Sequence, residues 1–99
     1  MFWKKSEEAK GKTLSPKEII KEKERIQKEI NAALKKSKWD KAAEEYRKWI
    51  KYEPKDMRLH LRLGDLLIKI NKKDEAIEEY TRVANSYAQD GMLVKAIAV

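Results

Sequence analysis

The sequence predicts an all-α fold: antiparallel helix hairpins, about five helices in all. Three observations carry this expectation. Only 3 Gly and 2 Pro occur among 99 residues, with no strand-plus-turn clusters. Apolar residues recur at helical spacing through most of the chain. One helical segment is echoed by another 34 residues later.

Residues 1–14 hold no sustained period and read as a flexible arm tipped by Phe2 and Trp3. The first helix opens at a capping signal. Ser15 can cap, Pro16 suits the first helical position, and Glu18 completes a capping box. Ile19, Ile26, Ile30, Ala33 and Leu34 follow as a stripe, widened by Ile20, and Glu24 and Lys28 form an i,i+4 pair. The helix should reach about Lys36, with Ser37 and Lys38 in the turn. The second helix starts near Trp39 or Asp40 and buries Ala42, Ala43, Tyr46, Trp49 and Ile50. Pro54 marks its end, because the residue before a proline avoids helical geometry.

The third helix is the stretch around which the chain is organised, expected from about Lys55 to Ile70. Leu59, Leu61 and Leu63 alternate as in a strand, but Leu66, Leu67, Ile68 and Ile70 break the alternation. On a helix, Leu59, Leu63, Leu66, Leu67 and Ile70 share one side, and Met57, Leu61, Gly64 and Ile68 the other. Such a helix must be covered twice, or offer one side to a partner. Asn71 is its stop. The fourth helix, about Asp74 to Tyr87, should bury Ala76, Ile77, Tyr80, Val83, Ala84 and Tyr87, before a break at Asp90 and Gly91. Residues 92–99 read as the start of a further helix, truncated or capping.

Asp40 matches Asp74 across the repeat, Ala42 matches Ala76, and Glu44-Glu45-Tyr46 matches Glu78-Glu79-Tyr80. Small residues (Ala42, Gly64, Ala76) stand where helices must approach, aromatic ones beside them, and Pro54 closes the first unit. From about Lys23 to Asp90 this pattern resembles the tetratricopeptide repeat family. It departs at Ile26 and His60, which replace the family's tryptophan, and at Glu29, Ile30 and Ala88. The resemblance implies an α-solenoid with two hairpins over residues 15–91, and a non-catalytic module that binds other proteins, compatible with a place in a longer scaffold.

Chemistry is otherwise sparsely supplied. There is no Cys, which excludes disulfides and thiolate metal sites. The single histidine, His60, lies among leucines and reads as a packing residue. Glu44 and Glu45, beside Arg47 and Lys48, read as surface carboxylates. No phosphate-cradling glycine loop or serine nucleophile motif is present. No catalytic residue, metal or cofactor is expected. No apolar run approaches the roughly 20 residues of a membrane span, and the expected location is cytoplasmic. Net charge is +7, but Glu18, Glu22, Glu24 and Glu29 dilute the Lys-rich first helix and no stacking platform is evident. Nucleic acid is therefore a weaker candidate partner than protein.

The resemblance implies that the first helix of each unit lines a concave groove. Its strip in this chain is Gln27, Asn31, Leu34 and Lys35, then Arg58, Leu61, Asp65, Ile68 and Lys69. Asn31 could pair with a peptide backbone, and the cations could hold an acidic partner. Some family members clamp a C-terminal carboxylate with lysine and asparagine. Asn31 fits that pattern, but Gln27 stands in place of the lysine, so no such clamp is expected. The alternatives are a homo-oligomer formed through the apolar residues 92–99, or weak nucleic-acid binding through the basic N-terminal half.

Overall fold

A computed structural model describes residues 14–91. The expected arm, apart from Leu14, and the expected further helix lie outside the described residues. Four helices follow in order: α1 (Pro16–Lys35), α2 (Trp39–Tyr52), α3 (Met57–Lys69) and α4 (Lys73–Gln89). Each packs against the next, α1 on α2, α2 on α3, and α3 on α4. α1 and α3 both lean on α2 without meeting each other, which leaves a cleft between them.

Local sequence sets the boundaries. The capping box forms as expected: the Glu18 N–H donates to Ser15 Oγ (3.2 Å), and the Ser15 N–H to Glu18 Oε1 (2.8 Å). α1 and α3 end alike. Ser37 (φ 56°) and Asn71 (φ 65°) turn left-handed. Lys38 N–H then donates to Ala33 O and Lys72 N–H to Leu67 O, both at 2.8 Å, in the Schellman pattern. α3 starts two residues later than expected. Asp56 is its cap, accepting the Arg58 N–H at 3.1 Å, so Lys55 and Asp56 stay in the turn.

The core runs through all three helix contacts. Ile26, Leu63, Leu67 and Val83 are almost fully enclosed, with Ala42 and Ala76 at the close approaches. Burying each large aliphatic side chain contributes on the order of 1.5–3 kcal/mol. Trp39, Trp49, Ile50 and Tyr80 pack on this core while remaining half-buried.

Several expectations are corrected. Ile77 is 59 % exposed, although its repeat partner Ala43 is buried. α2 is enclosed by α1 and α3, whereas α4 has only α3 beside it among the described residues. Ile20 is 54 % exposed, since no element lies over that edge of the first turn of α1. Glu24 and Lys28 do not pair; Arg25 binds Glu22 instead, Nη2 to Oε2 at 2.6 Å. Glu45 is not a surface carboxylate but fully buried. It lies one turn beyond Ala42 on the inner side of α2, and its Oε2 is held by Lys48 (3.0 Å) and Lys41 (3.2 Å). Burial pushes its carboxyl up, but the two lysine hydrogen bonds outweigh that and leave it below its ordinary value.

Candidate functional site: the cleft between α1 and α3

The gap between α1 and α3 is a cleft of about 350 Å³. α1 supplies Gln27, Ile30 and Asn31; α3 supplies Arg58, Leu59 and Arg62; Tyr46 and Trp49 of α2 form the floor. The two floor rings are stacked, with centroids 6.1 Å apart and planes 6° off parallel. Trp49 is fixed from behind. Its indole N–H donates to Glu53 Oε2 at 3.0 Å, and Lys23 Nζ donates to the same oxygen at 2.7 Å. Those donors, Lys23 first and Trp49 second, hold the Glu53 carboxyl below its ordinary value.

The polar walls differ in how free they are. Arg58 grips Asp56 through two bonds, Nε to Oδ1 at 3.1 Å and Nη2 to Oδ2 at 2.8 Å. That grip holds the Asp56 carboxyl below its ordinary value. Arg62, one turn further along α3, has no acidic partner among the described residues. The exposed side-chain amides of Gln27 and Asn31 also have no partner there. The cleft therefore combines an aromatic floor, two unengaged amides and one unbalanced positive charge.

Three of the groove residues named from sequence line this cleft: Gln27, Asn31 and Arg58. The other six lie elsewhere. Lys69 Nζ sits 4.9 Å from the Trp39 ring centroid, a cation–π contact. Asp65 accepts the Tyr80 hydroxyl at 2.6 Å, which ties it to α4. Leu61 is half-buried, Leu34 and Ile68 are 36 % and 45 % exposed, and Lys35 is exposed at the end of α1. The strip shares a direction, but Arg58 and Lys69 are separated by about 16 Å along the helix axis. Only its first half overlies the Tyr46–Trp49 floor. Sequence reasoning missed Arg62 and assigned Tyr46, Trp49, Ile30 and Leu59 to the core alone. The available signal was the spacing of Arg62, one turn from Arg58 on the same face.

His60 has no free nitrogen. Nδ1 lies 2.6 Å from Glu79 Oε1 and Nε2 lies 2.8 Å from the Pro54 carbonyl oxygen. Among the described residues, no group of three His, Asp or Glu side chains could hold a metal ion. None of the described helices is long and apolar enough to cross a membrane.

Consecutive hairpins stacked around an open cleft define a helical-repeat protein. The profile of the tetratricopeptide repeat family matches residues 28–91, and the chain belongs to that family. No curated protein and no solved structure matches it. Repeats of this family are generally non-catalytic, and they make this chain a protein–protein interaction module.

Proposed function

We propose that the cleft between α1 and α3 binds an extended segment of another protein. The segment sets an acidic side chain against Arg62 and an apolar one on the Tyr46–Trp49 floor. The observation that carries this reading is Arg62, a cation without an acidic partner beside stacked rings and unengaged amides. Gln27 and Asn31 pair with the segment's backbone, and the Tyr46 hydroxyl, likewise unengaged among the described residues, adds a further donor.

The test uses synthetic peptides that carry an acidic and an apolar residue side by side, read by the Trp49 indole N–H signal in two-dimensional NMR. Arg62→Glu should weaken binding at least tenfold, the loss expected from one charge-assisted hydrogen bond. Lys69→Glu, outside the cleft, should leave affinity within about twofold of the parent. Equal losses in both variants would mean that general positive charge, not the cleft, attracts the peptide. A phosphate-binding surface would show a steep loss of affinity with salt; an apolar-anchored peptide would not.

Residues 92–99 fit a role in extending the array. The spacing of 34 matches Leu93, Ile97 and Ala98 in sequence to Leu59, Leu63 and Gly64, the pattern of a further first helix. Sedimentation at several concentrations separates that role from pairing between two copies. Concentration-dependent dimers would favour pairing.

A further inference from the structure

We propose that the opposite groove, between α2 and α4, is a second docking surface, and that it takes an acidic peptide with an apolar anchor. Successive α2 residues point about 100° apart, so Trp49 faces the first cleft while Ile50 and Lys51 turn toward α4. The cavity on that side measures about 570 Å³, larger than the cleft. Ile50, Pro54 and Met57 give it apolar surface, over the enclosed Leu63 beneath. Arg47 and Lys51 of α2 and Arg82 of α4 bring three cations to the same cavity.

The charge around this groove is not balanced from within. Glu79 is the one carboxylate lining it, and that group is engaged by His60 at 2.6 Å. Arg82 Nε stands 3.8 Å from Glu79 Oε2, at the limit of an ion pair, and its side chain is 61 % exposed. Arg47 reaches Glu75 at 2.6 Å yet remains 45 % exposed. Lys51 has no acidic partner among the described residues. A partner that fits must offer carboxylates to the cations and an aliphatic or aromatic side chain to the apolar lining. Nucleic acid fits less well. No exposed ring lines this groove for base stacking, and phosphates gain nothing from an apolar lining.

The experiment uses the full chain with labelled methionine methyls and labelled tryptophan indoles. The probe is a short capped peptide with a leucine flanked by aspartate and glutamate. Two control peptides carry lysines in place of the acids, or serine in place of the leucine. The expected result is a shift of the Met57 methyl signal that follows its own binding curve, independent of any movement of the Trp49 indole signal. Lys51→Glu/Arg82→Glu should weaken binding at least tenfold, and Arg62→Glu should not change it. Failure of the α1–α3 cleft to bind peptides would leave this result intact, because the two probes report different grooves. The proposal is overturned by no Met57 shift at about 1 mM peptide, where a specific site of even modest strength is half filled. Equal binding of either control peptide also overturns it. So does a Met57 shift produced by a single-stranded oligonucleotide but not by the acidic peptide.

Discussion

Gly64 is where the packing of α3 against α4 leaves least room. A Cβ built there would lie 2.6 Å from Tyr80 Cε1 and 3.0 Å from both Cδ1 and Cζ. The ring cannot swing away freely, because its hydroxyl donates to Asp65 at 2.6 Å. Alanine is the better helix former by about 1 kcal/mol, so Gly64→Ala would stabilise a helix with nothing beside it. Here that gain is opposed by overpacking, about 1–3 kcal/mol, and by the loss or strain of a hydrogen bond, about 1 kcal/mol. The net expectation is a destabilisation of about 1–3 kcal/mol, with Tm falling by about 4–8 °C for each kcal/mol in a chain of this size. The assay is urea unfolding of Gly64→Ala, Tyr80→Ala and the double variant. In the Tyr80→Ala background the obstacle is gone, and Gly64→Ala should stabilise by about 1 kcal/mol. Stabilisation by Gly64→Ala with Tyr80 still present would refute the reasoning, because it would show that the ring yields without cost.

The left-handed turn positions make a second test. Ser37→Gly should raise stability by about 1 kcal/mol, and Asn71→Gly by less, because asparagine tolerates positive φ better than serine; a decrease in either urea midpoint would contradict the Schellman assignment. Burial, then Asp65, pushes the Tyr80 hydroxyl up to about 12. The folded chain therefore keeps this proton where the unfolded chain, near pH 10, loses it. The stability this represents is full below about pH 10 and falls as pH rises toward about 12, so Tm should drop more steeply there in the parent than in Tyr80→Phe. His60→Ile should cost about 3 kcal/mol by leaving Glu79 buried without its partner, and adding Glu75→Lys should recover part of it. Chemical denaturation of both variants reads the difference, and a neutral His60→Ile would show that the pair contributes nothing.

Much of the fold was legible because it is written locally and then repeated. The Ser15–Glu18 box, the turns at Ser37 and Asn71 and the stop before Pro54 each depend on a few adjacent residues. Position-by-position burial was less legible, because it depends on which elements lie on both sides of a helix. Ala43 and Ile77 occupy equivalent places, yet 4 % of one is exposed and 59 % of the other. Glu45 was hidden by its own chemistry: beside Arg47 and Lys48 it looks like a solvated acid, and only packing shows that its carboxylate lies inside. The candidate cleft was legible in half. The family resemblance, with matching across the repeat, named Gln27, Asn31 and Arg58, but a shared helix face carries no depth, so the strip ran on to Lys69, which rests on Trp39.

The two units share a backbone plan and divide their chemistry. Each buries a carboxylate at the same place and holds it with different partners, and Glu45 Oε1 is left buried without a hydrogen bond. Glu45 has lysines one turn on either side, Lys41 and Lys48. At the positions equivalent to those lysines, Glu79 has Glu75 and Arg82, so one flanking cation is replaced by an acid, and His60 across the interface supplies the missing donor. The same substitution logic falls on the groove. Where the first unit has Gln27, Asn31, Tyr46 and Trp49, the second has Leu61, Asp65, Tyr80 and Val83. The stacked floor becomes a tyrosine tied to an aspartate, and one amide becomes an aliphatic surface. Arg58 and Arg62 are followed 34 residues on by Met92 and Ala96, so the cations are not repeated either. The aromatic floor and unbalanced arginine of the first cleft are not reproduced in the second unit, so the peptide binding we propose for that cleft has no counterpart there.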